Sequence, residues 1–221
     1  MNQIESMLML QKRLNDETNG AQWYKGVTKQ GKIIDWKRCI FLEAAELIDS
    51  YPWKHWKSID AKVDFENVKI ELVDIWHFVM SEALRVAKEQ GISFEELAKN
   101  IERIIDSIDT KAIEKSKIYE QIEAIEAFVK ELFCNFELMR FIKSFFILCA
   151  KLDLSFDELY KLYLGKNVLN KFRQDHGYKE GTYKKIWNGK EDNLIMQEIL
   201  EKEKEIDFEK LYQRLLEVYQ K

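Results

Sequence analysis

The sequence predicts an all-α protein built as a helical bundle. Apolar residues recur at helical spacing along almost the whole chain, and no convincing strand alternation appears. The 221 residues include one proline and eight glycines, so few positions interrupt a helix. Hydrophobic residues make up 46% of the chain, which is enough for a sizeable core. No linker or repeat separates the chain into parts, and we therefore expect one domain over residues 1–221.

The helix boundaries follow from capping residues and from the single proline. Ser93 and Ser155 are each followed three residues later by an acid, which is the pattern of a helix capping box. Asp207 can cap the last helix, and Pro52 should end the second because the residue before a proline avoids the helical conformation. The predicted helices cover about residues 2–15, 36–50, 65–89, 94–109, 113–150, 156–174, 191–204 and 207–220.

Charge and hydropathy exclude several classes of protein. The formal net charge is −4, which argues against bulk binding of nucleic acid. The first residues have helical spacing and an acid at position 5, which is not typical of a signal peptide. No stretch approaches the roughly 18 uncharged apolar residues of a membrane span. We expect no nucleic-acid partner, no membrane and a cytoplasmic location.

Two predicted helices each carry a pair of acids inside an otherwise apolar run. Glu43 and Glu46 lie in CIFLEAAELI, and Glu71 and Asp74 lie in KIELVDIWHFVM. A spacing of three places each pair on one helix face, and a helix that is apolar all round is buried. Buried carboxylates need cations, and Mg²⁺ prefers oxygen ligands. The sequence therefore predicts a four-helix metal-binding core with these four acids as ligands.

Two other interpretations of the acid pairs are possible. Each pair could be a solvated stripe, as the acidic run at 201–205 is expected to be. A di-iron bundle also sets acids on facing helices, but it needs two Glu-x-x-His pairs. The nearest match is a single Asp74-x-x-His77, so the di-iron bundle is disfavoured.

Residues 166–190 form a basic segment, with seven basic residues and two acids. Lys166, Asn170 and Arg173 follow at i, i+4 and i+7, so they share one helical face. Gly177 and Gly181 allow the backbone to turn close to a ligand. A basic segment together with an acidic metal cluster suits a metal–triphosphate substrate. Single-stranded nucleic acid is the rival ligand, because aromatic residues interleave with the charges.

These motifs resemble a known family. The E-x-x-E and E-x-x-D pairs, separated by 24 residues, resemble the metal motif of the all-α nucleoside triphosphate pyrophosphohydrolases. The segments LNDETNG, WKHWK, ELVDIWHF and GKNVLNKFRQDHGYKEGTYKKIWNGKEDN are similar to the dimeric dUTPases, over about residues 10–220. This implies a homodimeric, Mg²⁺-dependent enzyme that converts dUTP and water to dUMP and pyrophosphate, with dUDP as a second substrate left open. Such an enzyme keeps uracil out of DNA and supplies dUMP for dTMP synthesis.

The resemblance also implies roles for individual residues. The four acids would hold two to three Mg²⁺ ions around the triphosphate. The base would be received by Gln11, Asn15 and Trp53, and the deoxyribose would lie near His77 and Asn170. The phosphates would be contacted by Lys166, Arg173, Tyr178, Lys179 and Lys185.

The expected mechanism is attack of a water on a phosphorus of the triphosphate. Glu43, or next Glu46, would take the proton of that water. The family suggests attack at the β-phosphorus, although the residues themselves do not distinguish it from the α-phosphorus. The loop 176–190 is expected to order over the phosphates when substrate binds.

Two other functions stay open at this point. One is an all-α pyrophosphohydrolase for other nucleotides, such as a dCTPase or a house-cleaning enzyme, which a substrate panel would distinguish. The other is a non-enzymatic helical module that binds nucleotide or single-stranded nucleic acid through 166–190. That module would release no pyrophosphate, and its binding would depend steeply on salt.

Overall fold

The computed structural model describes residues 2–58, 60–113, 117–203 and 207–219. The chain divides into two compact units, Met1–Leu159 and Tyr160–Lys221. The helices are α1 (Gln3–Asn19), α2 (Trp36–Asp49), α3 (Phe65–Gln90), α4 (Phe94–Asp106), α5 (Ile118–Cys134), α6 (Leu138–Lys151), α7 (Phe156–Asp175), α8 (Asp192–Lys202) and α9 (Phe208–Tyr219). The all-α fold class is therefore confirmed, whereas a single functional domain over 1–221 stays a prediction.

The capping predictions agree with the structure. Ser93 Oγ accepts the backbone N–H of Glu96 at 3.1 Å, and Asp207 Oδ1 accepts that of Lys210 at 2.8 Å. These bonds satisfy backbone donors that a helix leaves unpaired at its start. Helix α2 ends at Asp49, ahead of the proline. Positions 204 and 220, where two predicted helices end, lie outside the described residues.

The predicted helix over 113–150 is wrong, because two helices, α5 and α6, occupy this stretch. Asn135 follows α5 with φ −143° and ψ 40°, which is not a helical conformation. Glu137 then caps α6, and its carboxylate accepts the backbone N–H groups of Met139 at 3.0 Å and Arg140 at 2.8 Å. Residues 114–116, near the start of the predicted helix, lie outside the described residues.

A small hairpin, which the sequence pattern did not indicate, lies between α7 and α8. Strands β1 (Ile186–Trp187) and β2 (Lys190–Glu191) pair antiparallel. Asn188 and Gly189 connect them with φ of 52° and 79°. A two-residue turn with positive φ at both positions favours Asn-Gly, so the dipeptide in the sequence was a usable signal.

The first unit is organised around α3. This helix packs against α1, α2, α4 and α6, which agrees with its apolar character on every side. Trp76 is fully buried, and its ring stacks on that of Phe145 at 5.1 Å between centroids. Because α2 and α3 lie side by side, the acids on both helices can meet.

The second unit has an aromatic core. Phe172 is fully buried, with its ring centroid 5.5 Å from Trp187 and 5.1 Å from Tyr212. Helices α8 and α9 pack on each other. The aromatic residues of the basic segment therefore serve in part as core residues of this unit. Among the described residues, no helix combines the length and the apolar character that crossing a membrane would require.

Candidate active site

Three of the four predicted ligand acids meet in the first unit. Glu43 and Glu46 lie on α2, beside the buried residues Ile40 and Leu47, and Glu71 lies on α3. One carboxylate oxygen from each acid lies within 4.8 Å of the other two. Glu71 is buried, Glu43 is half-buried and Glu46 is exposed, so the cluster opens toward solvent on one side.

The donor set fits a small divalent cation. Mg²⁺ binds oxygen at about 2.1 Å, so two ligands of one ion lie up to about 4.2 Å apart. The three carboxylate oxygens lie within 4.8 Å of one another, which is compatible with that span. Asp74 is half-buried one turn further along α3 and is not among the described acids whose oxygens meet within that distance.

Glu71 is held by a neighbour that the sequence interpretation did not single out. Asn67 Nδ2 donates to Glu71 Oε1 at 3.1 Å and to Ser50 Oγ at 2.9 Å. Ser50 follows α2 directly, so this amide connects the ends of two acid-bearing helices. The position was recognisable in principle, because Asn67 precedes Glu71 by four residues and shares its helix face.

Two residues expected to receive the base, Gln11 and Asn15, form a buried polar network between α1 and α3 with His77, which was expected near the deoxyribose. Gln11 is 2% exposed, Asn15 is 4% exposed and His77 is 4% exposed. Gln11 Oε1 lies 2.6 Å from His77 Nδ1. An amide oxygen only accepts hydrogen bonds, so His77 Nδ1 carries a hydrogen. Neutral His77 is therefore the tautomer in which Nε2 accepts.

Trp53 lies in the loop between α2 and α3. It is 39% exposed, and its indole Nε1 donates to Asp49 Oδ1 at 3.3 Å. The ring centroid lies 5.6 Å from that of Trp56 in an edge-to-face arrangement. An exposed indole that is held at its edge can still offer a face to a ligand.

In the described part of the second unit, the buried cations Lys166 and Arg173 are held by one carboxylate and one carboxamide. Arg173 Nε and Nη2 each donate to a carboxylate oxygen of Asp192 at 2.8 Å. Asn193 Oδ1 accepts from Lys166 Nζ at 3.0 Å and from Arg173 Nη2 at 3.3 Å. Lys166 is 2% exposed and Asp192 is 1% exposed, so this network is shielded from water.

Burial and Arg173 act in opposite directions on Asp192. Burial raises the pKa of this carboxyl, whereas the hydrogen bonds and charge of Arg173, with smaller effects of Tyr183 and Lys166, lower it, and the net pKa is below its ordinary value. Tyr183 donates its hydroxyl to Asp192 Oδ2 at 2.7 Å. Burial, and then this bond to a carboxylate, raise the pKa of Tyr183. The network is thus a protonated tyrosine and an ionised acid beside two cations.

The remaining predicted phosphate contacts lie near the turn after α7. Tyr178 is 42% exposed, and its ring centroid lies 5.9 Å from both the Arg173 guanidinium carbon and Lys185 Nζ. The Tyr178 ring therefore lies within cation–π distance of two cations, one on α7 and one in the loop before β1. Lys179 and Lys185 are exposed, whereas Asn170 is half-buried.

A backbone turn at Gly177 brings Tyr178 to this position. Gly177 has φ 86°, and its carbonyl accepts the N–H of Thr182 at 3.0 Å and of Tyr183 at 3.3 Å. A Cβ at Gly177 would overlap Thr182 Oγ1, so the turn needs glycine both for conformation and for space.

A protein-family model described as dUTPase matches residues 3–178. The chain belongs to the all-α dUTPase family. The predicted resemblance is confirmed, and the match covers the candidate site residues except Lys179 and Lys185. A dUTPase is a dUTP diphosphatase, a hydrolase of acid anhydrides in nucleotide metabolism, so the non-enzymatic alternative is set aside. No curated protein matches the chain.

Sequence reasoning missed five residues of this dUTPase that the structure places beside predicted ones. Four of them carried a usable signal. Asn67 and Ser81 lie four residues from Glu71 and His77, and Asp192 and Asn193 lie inside the run similar to the family. The five residues are Ser50, Asn67, Ser81, Asp192 and Asn193.

Proposed function

We propose that the protein is a Mg²⁺-dependent dUTP pyrophosphohydrolase that forms dUMP and pyrophosphate. The convergence of Glu43, Glu46 and Glu71 within 4.8 Å carries this proposal. We infer that these acids, with Asp74, hold two to three ions. Bound Mg²⁺ supplies charge screening for the triphosphate and acidifies the attacking water. The physiological role would be to keep uracil out of DNA and to provide dUMP for dTMP synthesis.

Glu43 is the proposed general base, with Glu46 as the alternative. Glu43 is half-buried within the acid cluster, and Glu46 is exposed. A partly buried carboxylate that borders the site where the attacking water would bind is suited to take a proton from that water. Attack at the β-phosphorus, which the family implies, belongs to this proposal.

Base recognition is proposed for Gln11, Asn15 and Trp53. The two carboxamides are buried, so their hydrogen bonds to a base would be made away from water. A site built to hydrogen-bond a substrate rejects an analogue that leaves those groups unpaired. The exposed indole of Trp53 would stack on the ring, and His77 and Asn170 would lie near the deoxyribose.

The phosphate contacts are proposed for Lys166, Arg173, Tyr178, Lys179 and Lys185. Lys166 and Arg173 are already oriented by Asn193 and Asp192, and preorganised donors lose little entropy on binding. Tyr178, Lys179 and Lys185 lie on the more exposed part of the segment. Ordering of residues 176–190 over the phosphates stays a prediction.

A homodimer and a cytoplasmic location complete the proposal. Phe41 on α2 and Phe133 on α5 are 42% and 59% exposed, and the centroids of their rings lie 5.5 Å apart. Exposed apolar side chains that cluster are suited to an interface between copies. Light scattering after size exclusion would give twice the monomer mass, whereas a monomer at micromolar concentration would contradict the dimer.

The decisive experiment is a substrate panel in which nucleoside monophosphate formation and pyrophosphate release are both measured. Purified protein is incubated with dUTP, dUDP, dCTP, dTTP or UTP, with Mg²⁺ or with EDTA. With Mg²⁺ we expect dUMP and pyrophosphate to form in equal amounts from dUTP. With EDTA we expect neither product to form. Full activity in EDTA would overturn metal dependence, and equal turnover of dCTP would overturn selectivity for uracil. The dUDP reaction would yield dUMP and phosphate.

A further inference from the structure

Ser81 lies at the centre of the polar network that links α1 and α3. It is fully buried, one helical turn beyond His77. Its Oγ lies 2.8 Å from the backbone oxygen of His77, 3.0 Å from Gln11 Nε2 and 3.0 Å from Asn15 Nδ2. One hydroxyl therefore contacts both carboxamides that the proposed function assigns to base recognition.

The hydrogens of these contacts can be assigned by elimination. The backbone oxygen of His77 only accepts, so the single hydroxyl hydrogen of Ser81 is donated to it. Ser81 Oγ is then left with acceptor capacity alone. Both carboxamides must present their NH₂ groups to it, because an amide oxygen facing a lone pair would repel it. Ser81 thus fixes the orientation of both carboxamides, with the NH₂ group of Gln11 and of Asn15 directed toward its Oγ.

A fixed carboxamide can discriminate between two pyrimidines. Uracil has an N3–H donor flanked by carbonyl acceptors, whereas cytosine has an N3 acceptor beside an amino donor. A carboxamide that turns freely can pair with either base by exchanging its oxygen and nitrogen. Asn15 donates one amide hydrogen to Ser81 and accepts one hydrogen bond from Gln11 at Oδ1. One amide hydrogen and one Oδ1 lone pair remain for a base. The orientation of the carboxamide therefore decides where the base meets a donor and where it meets an acceptor.

We propose that Ser81 is a positioning residue that selects uracil over cytosine by locking the orientation of Gln11 and Asn15. The inference rests on the proposed role of these two residues in base recognition. It goes beyond that role because Ser81 acts through them. Gln11 Oε1, turned away from Ser81, accepts from His77 Nδ1 at 2.6 Å. The same hydroxyl therefore also sets the tautomer of His77.

The test compares dUTP and dCTP in variants of Ser81. Ser81→Cys nearly keeps the side-chain volume but offers a weak acceptor, and Ser81→Ala removes the acceptor altogether. We expect the ratio of kcat/KM for dUTP over dCTP to fall at least about tenfold in both. The loss should come from a higher KM for dUTP, with kcat changed less than about threefold. Ser81→Thr, which keeps the hydroxyl, should recover selectivity relative to Ser81→Ala.

Controls separate this inference from the base-recognition proposal. Ser144→Ala removes a hydroxyl that donates to Glu131 on α5, and it should leave the ratio unchanged. Gln11→Ala and Asn15→Ala are measured in parallel. If these two lower the ratio while folded Ser81→Cys does not, Ser81 has no positioning role and base recognition stands. If none of the variants lowers the ratio, both proposals are wrong.

Discussion

Asn67 and Glu71 are joined by a hydrogen bond of 3.1 Å between the amide nitrogen and carboxylate Oε1. The same nitrogen donates to Ser50 Oγ at 2.9 Å, at the end of α2. The carboxylate of Glu71 is therefore oriented from its own helix and from the neighbouring one. Groups that hydrogen-bond to a metal ligand fix its direction and influence metal affinity.

Replacing Asn67 should weaken metal binding without removing a ligand. We expect Asn67→Ala to raise the Kd for Mg²⁺ about tenfold or more, because Glu71 would lose the bond that orients it. Isothermal titration calorimetry of the nucleotide-free protein with Mg²⁺ measures this directly. Asn100→Ala, on α4, is the matched control and should bind as the wild type does. Equal affinities of all three proteins would show that Asn67 does not orient the ligand.

The Arg173–Asp192 pair should dominate the stability of the second unit. Asp192→Asn leaves a buried guanidinium without its counter-charge, and such changes cost roughly 3–5 kcal/mol. Hydrogen exchange of the α8 amides reports this free energy locally. Asp175→Asn, which breaks an exposed pair with Lys171, should cost less than about 1 kcal/mol. Similar losses in both variants would contradict the importance of burial.

The same pair predicts how stability depends on pH. The pKa of Asp192 in the folded protein is below its ordinary value of about 3.9. A lowered carboxyl pKa stabilises the fold above the ordinary pKa, and this stabilisation is lost as the pH falls through the folded pKa. Protection of the α8 amides should therefore fall below about pH 4. A protection that is unchanged from pH 5 to pH 2.5 would contradict the ion pair.

Alanine at Gly177 should disturb the turn more than alanine at Gly181. Both glycines have positive φ, which costs an alanine about 1–2 kcal/mol. Only at Gly177 would the added Cβ overlap Thr182 Oγ1, and nothing lies within 4 Å of a Cβ at Gly181. We expect Gly177→Ala to raise the KM for dUTP more than Gly181→Ala does.

A second substitution tests the cause of that difference. Thr182→Ala in the Gly177→Ala background removes the overlapping oxygen and should recover part of the KM. If the double variant is no better than Gly177→Ala, the overlap is not the cause. If Gly181→Ala raises KM as much as Gly177→Ala does, backbone conformation alone explains both.

Sequence reasoning predicted α3 and the burial of Glu71 well, for a physical reason. A helix that is apolar on every side has only the core available, so the burial of Glu71 followed from its neighbours. The break between α5 and α6 was missed because apolar spacing continues across Asn135, although Glu137 is a residue type that can cap a new helix. The hairpin was missed although its Asn-Gly turn was visible.

The polar network of the candidate site could not be predicted from periodicity. Gln11 could have been a solvent-facing residue, and it is buried because Ser81 and His77 on another helix satisfy its amide. Asp192 lies in the segment 165–193 that resembles the family. Its pairing with Arg173, however, depends on the direction that the chain takes after the β1–β2 hairpin. Contacts between distant segments need three-dimensional structure.

The central claim is that the carboxylates of α2 and α3 hold the divalent cation that hydrolysis requires. It is tested most directly by calorimetric titration of Mg²⁺ into Glu71→Gln, with dUMP formation measured on the same samples. Glu95→Gln, an exposed acid in the first turn of α4, is the matched control. We predict that Glu71→Gln keeps its helix content but loses measurable Mg²⁺ binding and at least about 99% of turnover, while Glu95→Gln behaves as the wild type. Wild-type Mg²⁺ affinity and turnover in folded Glu71→Gln would contradict the account.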